Sequence, residues 1–215
     1  MRITSACIRV LIAFTIIAVL NHGAFATVVW TEGTNGDLSS NQASPTALTF
    51  TTGTNSIIGS VGTPDNQDWI TFTIPAGFQL SSDVLAAYSS TDAQGFTGVQ
   101  RGTSFSGSTF DATKYLGYAH FGTGAANGSL PPTDLRGTDL LPIMGNTTLA
   151  AGSQGFTPPL GSGDYTFLIQ QTGAANTAYQ FDFNVTATPE PGMGLVGLGG
   201  VVVLRRCRKR AQLKF

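Results

Sequence analysis

The chain has 215 residues, is 41% hydrophobic and only 11% charged, with eleven Lys and Arg against twelve Asp and Glu. All twelve acids lie between Glu32 and Glu190, whereas eight of the basic residues sit at the two ends, so the middle keeps only Arg101, Lys114 and Arg136 and a net charge of −9. A body this acidic does not bind nucleic acid through its phosphates. The two cysteines, Cys7 and Cys207, fall in the end segments, which leaves the body without disulfides, thiolate metal sites or a cysteine nucleophile.

Residues 1–26 read as a secretory signal. Arg2 and Arg9 form a positive n-region, residues 10–20 an apolar h-region, and Ala24-Phe25-Ala26 an A-x-A cleavage site, which makes Thr27 the first mature residue. The apolar run is too short to span a membrane, which needs about 20 residues. Such a segment implies passage through the Sec translocon and cleavage by signal peptidase.

Residues 27–187 read as an all-β domain. Alternation is plain in three places. Ile70, Phe72 and Ile74 face one way with Thr71 and Thr73 the other; Tyr165, Phe167 and Ile169 form a second inward set, and Tyr179, Phe181, Phe183 and Val185 a third. Further candidate strands are 28–31, 46–51, 56–60, 83–89, 95–100, 115–121 and 139–144. Turn residues separate them: Asn35-Gly36, Pro64-Asp65-Asn66, Pro75-Ala76-Gly77, Asn127-Gly128, Pro131-Pro132, Pro158-Pro159 and Gly161-Ser162-Gly163. Short strands with one polar face predict a two-layer β-sandwich, with a β-barrel as the alternative. About 160 residues are enough for one such core without disulfides.

Residues 188–215 differ in kind. Pro189-Glu190-Pro191 is extended and lacks two backbone donors, so it joins neither the preceding strand nor a following helix. A Gly-rich apolar run over 192–204 follows, then the cationic stop Arg205, Arg206, Arg208, Lys209 and Arg210. The run has thirteen residues, five of them Gly. As a helix it would reach roughly 20 Å, short of the about 30 Å bilayer core, and so suits a transient transmembrane segment better than a permanent anchor. The order of these three parts resembles the PEP-CTERM sorting signal. That resemblance implies a bacterial exosortase substrate: a membrane-embedded processing enzyme reads Pro189, Glu190 and Pro191, removes the tail, and the protein is released or attached outside the cell.

Two stretches of the body resemble bacterial pre-peptidase C-terminal (PPC-like) domains. They are residues 65–77, from Asp65-Asn66-Gln67-Asp68-Trp69 onward, and residues 163–173, from Gly163-Asp164-Tyr165-Thr166-Phe167 onward, with a last aromatic strand after them. The likeness implies a jelly-roll-like accessory domain tied to binding or secretion. The first motif departs from the usual Asp-x-Asp, and residues 95–156 are longer than a minimal domain of this kind requires.

Chemistry-bearing patterns are few. His120 is the body's one histidine and sits among aromatic strand residues; Ser104, Ser106, Ser129, Ser153 and Ser162 show no G-x-S-x-G elbow. Gly192-Met193-Gly194-Leu195-Val196-Gly197 matches a dinucleotide fingerprint but lacks the strand before it and the acid after it. Asp134 and Asp139 near Arg136 are a carboxylate pair of the sort a glycosidase uses, or a solvated loop. Calcium is the one cofactor with a candidate site, at Asp65, Asn66, Asp68 and Asp164 with Asp37 beside a nearby loop, because calcium takes six to eight oxygens; the alternative is a solvated acidic turn. Asn127, Asn146 and Asn184 open nominal glycosylation sequons.

These observations predict a non-enzymatic exported protein of the cell surface or extracellular matrix, with extracellular polysaccharide as a candidate partner. A calcium-assisted carbohydrate-binding module is the alternative, using Trp30, Trp69, Tyr88, Tyr115 and Tyr118 as a stacking surface. A secreted hydrolase is the third reading.

Overall fold

The computed structural model describes residues 26–173 and 175–189. The expected signal segment through Phe25, including Ala24, lies outside them, as do Glu190, Pro191, the apolar run and the stop from Arg205 to Arg210. Among the described residues no helix is long and apolar enough to cross a membrane.

The body is a two-layer β-sandwich. Among the described residues its nine strands are β1 (Thr27–Thr31), β2 (Thr46–Ala47), β3 (Gly53–Val61), β4 (Gln67–Ile74), β5 (Phe78–Ser89), β6 (Gln94–Arg101), β7 (Gly117–Gly122), β8 (Gly163–Gln170) and β9 (Thr177–Ala187). One sheet has the order β1-β3-β9-β5 and the other β2-β4-β8-β6-β7. The edge pairs β1–β3 and β2–β4 run parallel, and the other pairs run antiparallel.

The three alternating runs place their apolar sets as expected. Ile70, Phe72 and Ile74 of β4 meet Tyr165, Phe167 and Ile169 of β8 from one layer, and Tyr179, Phe181, Phe183 and Val185 of β9 from the other. Rings dominate the contact: Phe72 lies 5.4 Å from Phe167 and 5.6 Å from Phe183, centroid to centroid, and Phe121 lies 5.1 Å from Phe181. Each such side chain contributes about 1.5–3 kcal/mol when taken fully out of water.

Two expected strands turn out differently. Of residues 46–51 only Thr46 and Ala47 join a ladder. Asn55 then takes over the backbone of the bend, accepting from Thr51 N–H and donating to the Thr51 and Gly53 carbonyls. Residues 139–144 are not a strand: Leu141–Gly145 form a helical turn, α2, with proline in its first turn. Proline presets the helical φ there, where its missing N–H costs nothing. The Asp139 carboxylate accepts from Leu141 N–H at its start.

The long segment after β7 closes one side of the sandwich. Leu135, Leu140, Leu141, Ile143, Met144 and Leu160 all join the main core. Its backbone bonds to one edge strand of each sheet, through Leu140 N–H to Asp83 and Gly137 N–H to Leu85 on β5, and through Leu135 N–H to Gly122 on β7. The loop from β6 to β7 covers the outer face of the five-stranded sheet instead. It brings Phe105 and Tyr115 onto Trp69 and Leu168 as a second, smaller core. Gly98 makes this possible, because a Cβ there would stand 2.5 Å from the Tyr115 ring.

An acid of β5 is among the inward residues that break the apolar pattern. A bulge between Leu80 and Ser82 brings Asp83 opposite Phe183, wholly buried, with neither carboxylate oxygen hydrogen-bonded. Burial, then the charges of Asp139 and Asp182, hold its pKa well above the usual carboxylate range. The group therefore opposes folding once the unfolded chain has ionised. Asp83→Asn should stabilise the body at pH 7, read as a raised midpoint of urea unfolding. An unchanged midpoint would show that Asp83 carries no such cost.

Candidate functional site

The densest group of acids gathers where the two layers meet at one end. The short turn α1 (Glu32–Asn35) follows β1 directly and delivers Glu32 to β3. Glu32 Oε2 accepts from Ser60 N–H at 2.7 Å and lies 3.3 Å from Ser60 Oγ. Trp30 Nε1 donates to the Gly36 carbonyl and Thr31 N–H to Asn35 Oδ1, which fixes the turn leading to Asp37. Asp65 lies in the turn between β3 and β4, and Asp68 opens β4 on its inner face. Across the sandwich, the Tyr179 hydroxyl of β9 donates to Asp68 Oδ2 at 2.5 Å.

Oxygens of Glu32, Asp37 and Asp68 all come within 4.8 Å of one another. Calcium–oxygen distances of 2.3–2.6 Å put opposite ligands about 5 Å apart, so this spacing is that of one coordination sphere. Asp68 is 0% exposed, yet its Oδ1 has no hydrogen-bond partner, and neither does the buried Oε1 of Glu32. Gly59 leaves room beside Glu32 Oε1 and Tyr179: a Cβ there would stand 2.6 Å from the Tyr179 hydroxyl and 2.7 Å from Glu32 Oε1. Lone buried carboxylate oxygens facing one another are costly unless a cation joins them.

The electrostatics agree. Burial pushes Asp68 up to about 8, against the Tyr179 hydrogen bond and with help from the charges of Glu32, Asp65 and Asp37. Asp65 is pushed up to about 6, by desolvation first and then by a shared hydrogen bond with Asp37. Desolvation also raises Glu32. No basic side chain of the described residues relieves them. Among the described residues the one ion pair is Arg136–Asp134, at 2.6 Å on the surface, and Arg101 lies over the Tyr165 ring instead.

The residues expected to hold calcium thus separate. Asp65, Asp68 and Asp37 come together. Asn66 is exposed, and its carbonyl accepts from Gln171 N–H. Asp164 belongs elsewhere: it pairs with Thr73 and accepts from its hydroxyl, five residues along β4 from Asp68, or about 17 Å. Glu32 replaces it. Its position at a strand end in a chain with few charges was the only sign, because Asp37 is five residues on but Ser60, Asp65 and Asp68 stand 28 to 36 residues further on.

The other candidates are dispersed. Asp134 is tied to Arg136, and Asp139 accepts from the Asp83 and Leu141 amides. His120 is half-buried, with its imidazole beside the Phe96 ring, and burial lowers its pKa against a backbone group of Ala126. Asn127 is buried and clamps the N–H and carbonyl of His120, so that sequon serves the edge of β7. The expected stacking surface does not form from its five residues, because Trp69, Tyr88 and Tyr115 are buried. Thr27 begins β1 directly after Ala26, and Pro189 follows the end of β9. No protein-family profile matches the chain, and no curated protein matches it either.

Proposed function

We propose that the chain is an exported, non-enzymatic protein of the bacterial surface or extracellular matrix, processed through its Pro189-Glu190-Pro191 signal and locked by calcium once outside. Two observations carry this reading: oxygens of Glu32, Asp37 and Asp68 stand at ligand spacing, and the buried Asp68 Oδ1 has no hydrogen-bond partner. Glu32, Asp37, Asp65 and Asp68 would supply the carboxylates. Extracellular modules hold calcium at about 10⁻⁴–10⁻³ M, so such a site fills after export. Filling it would fasten the first mature segment, β1 with α1, to the β3–β4 turn and to Tyr179 of β9. The cysteine-free body would then owe part of its stability to the ion.

The experiment is mass and metal analysis of the protein recovered from its host. The expected species runs from Thr27 to near Pro191 and carries calcium. An intact Phe215 or a metal-free mature protein would refute the reading.

A further inference from the structure

Beyond the acid cluster, the outer face of the five-stranded sheet carries a second surface. Gln170 of β8, Phe96 of β6 and His120 of β7 are register partners and form one row across three strands. Tyr118 stands diagonally next to Phe96, with the two rings stacked at 5.5 Å and 28°. Phe110, in the loop that crosses this face, is 89% exposed. Two shallow concavities meet at Phe96. One, of about 140 Å³, is lined by Gln94, Gln170 and His120 among others; the second, of about 220 Å³, by Phe110, Tyr115 and Tyr118.

We propose that this face binds a neutral polysaccharide chain, with Phe96, Tyr118 and Phe110 stacking on sugar rings and Gln170 and His120 hydrogen-bonding their hydroxyls. Four features select that occupant. The lining holds no carboxylate, lysine or arginine, although the body around it is strongly acidic. Gln170 is only 6% exposed as a residue, and its side-chain amide makes no hydrogen bond among the described residues while lining the polar concavity. Each hollow is smaller than the about 300–1,000 Å³ that engulfs a small ligand, so the surface suits a polymer lying across it. A peptide adding a strand at β7 would need the backbone of His120, which Asn127 already occupies. Rings beside amides are the mixed apolar and polar chemistry that a sugar presents.

This inference rests on the protein being exported, since such polymers are met outside the cell. The test is native-gel affinity electrophoresis of the calcium-loaded full-length chain through dissolved barley β-glucan, xylan, dextran and galactomannan, with alginate and gelatin as further arms. Retardation by at least one neutral polysaccharide is expected, weakened at least tenfold in Phe110→Ala and in Gln170→Leu. Thermal melting of Phe110→Ala should match the parent, because that side chain is exposed. The inference is overturned if none of the four retards the protein, if both variants bind like the parent, or if alginate or gelatin retards it as strongly. Calcium loading and tail removal would stand in that case, so the two readings fail separately.

Discussion

Stripped of calcium, the protein should become less stable as pH rises from about 4 to about 8. The unfolded chain releases its Asp protons near pH 3.8, whereas the folded protein holds them on Asp65 up to about 6 and on Asp68 up to about 8. Between those limits the native state binds more protons than the unfolded one, so stability is fully present below pH 4 and falls through the window. For Asp68, which is wholly buried, the loss is on the order of 4 kcal/mol by pH 8. Calcium should offset part of it. At pH 8, 1 mM calcium is expected to contribute roughly 0.4–1.4 kcal/mol and raise Tm by roughly 1–5 °C, and at pH 4 by almost nothing, because protons then occupy the same oxygens. Asp83 titrates in the same direction, but it lies in the core away from the cluster, so the calcium-sensitive part isolates the acids at the end of the sandwich. Asp68→Asn makes the sign sharper: without calcium it should be more stable than the parent at pH 8, and with calcium no different. Melting curves in EDTA and in calcium, from pH 4 to 9, give all of these comparisons. A metal-free protein that gains stability from pH 4 to 8 would overturn the assignment.

The second large effect concerns delivery. Glu190→Ala, or a chain ending at Thr188, should change where the protein goes and leave the body folded. The body keeps its last strand in either case, since β9 ends at Ala187 and the Thr188 N–H to Gly77 carbonyl bond is retained. The parent should appear outside the inner membrane with its tail removed. Glu190→Ala should keep the basic tail, with an at least tenfold fall in the processed form, while its melting temperature stays the same. Fractionation with intact-mass measurement reads both. Equal processing of parent and variant would sink the sorting role of Glu190, and unfolding of the truncated body would show that the tail belongs to the fold.

The parts legible in the sequence were those governed by a period of two. The inward sets of β4, β8 and β9 follow from alternation alone, because each strand has one face on the core. Alternation failed where the backbone left that period. In β5 both Leu80 and Leu85 point inward although five residues apart, because one bulge, between Leu80 and Ser82, shifts the register between them, and Asp83 is carried into the core with them. Residues 139–144 look like a strand by composition, yet proline in the first turn and the Asp139 carboxylate make a helical turn. Trp69, one of the candidate stacking residues, is instead packed on the outer face, under a loop that reaches it from 36 residues away at Phe105. The acid cluster was half visible. Asp65 and Asp68 share one turn and attract notice together, whereas Glu32 joins them only because β1 lies parallel to β3. Local patterning carries no signal for that pairing. Gln170, Phe96 and His120 likewise become neighbours only through register across three strands.

The most direct measurement is a calorimetric calcium titration of the full-length chain at pH 7.5, with Asp68→Asn beside it. The expected result is one ion per chain, proton release on binding, and loss of binding in the variant. Absence of binding by the parent, or the same stoichiometry and affinity in Asp68→Asn, would contradict it.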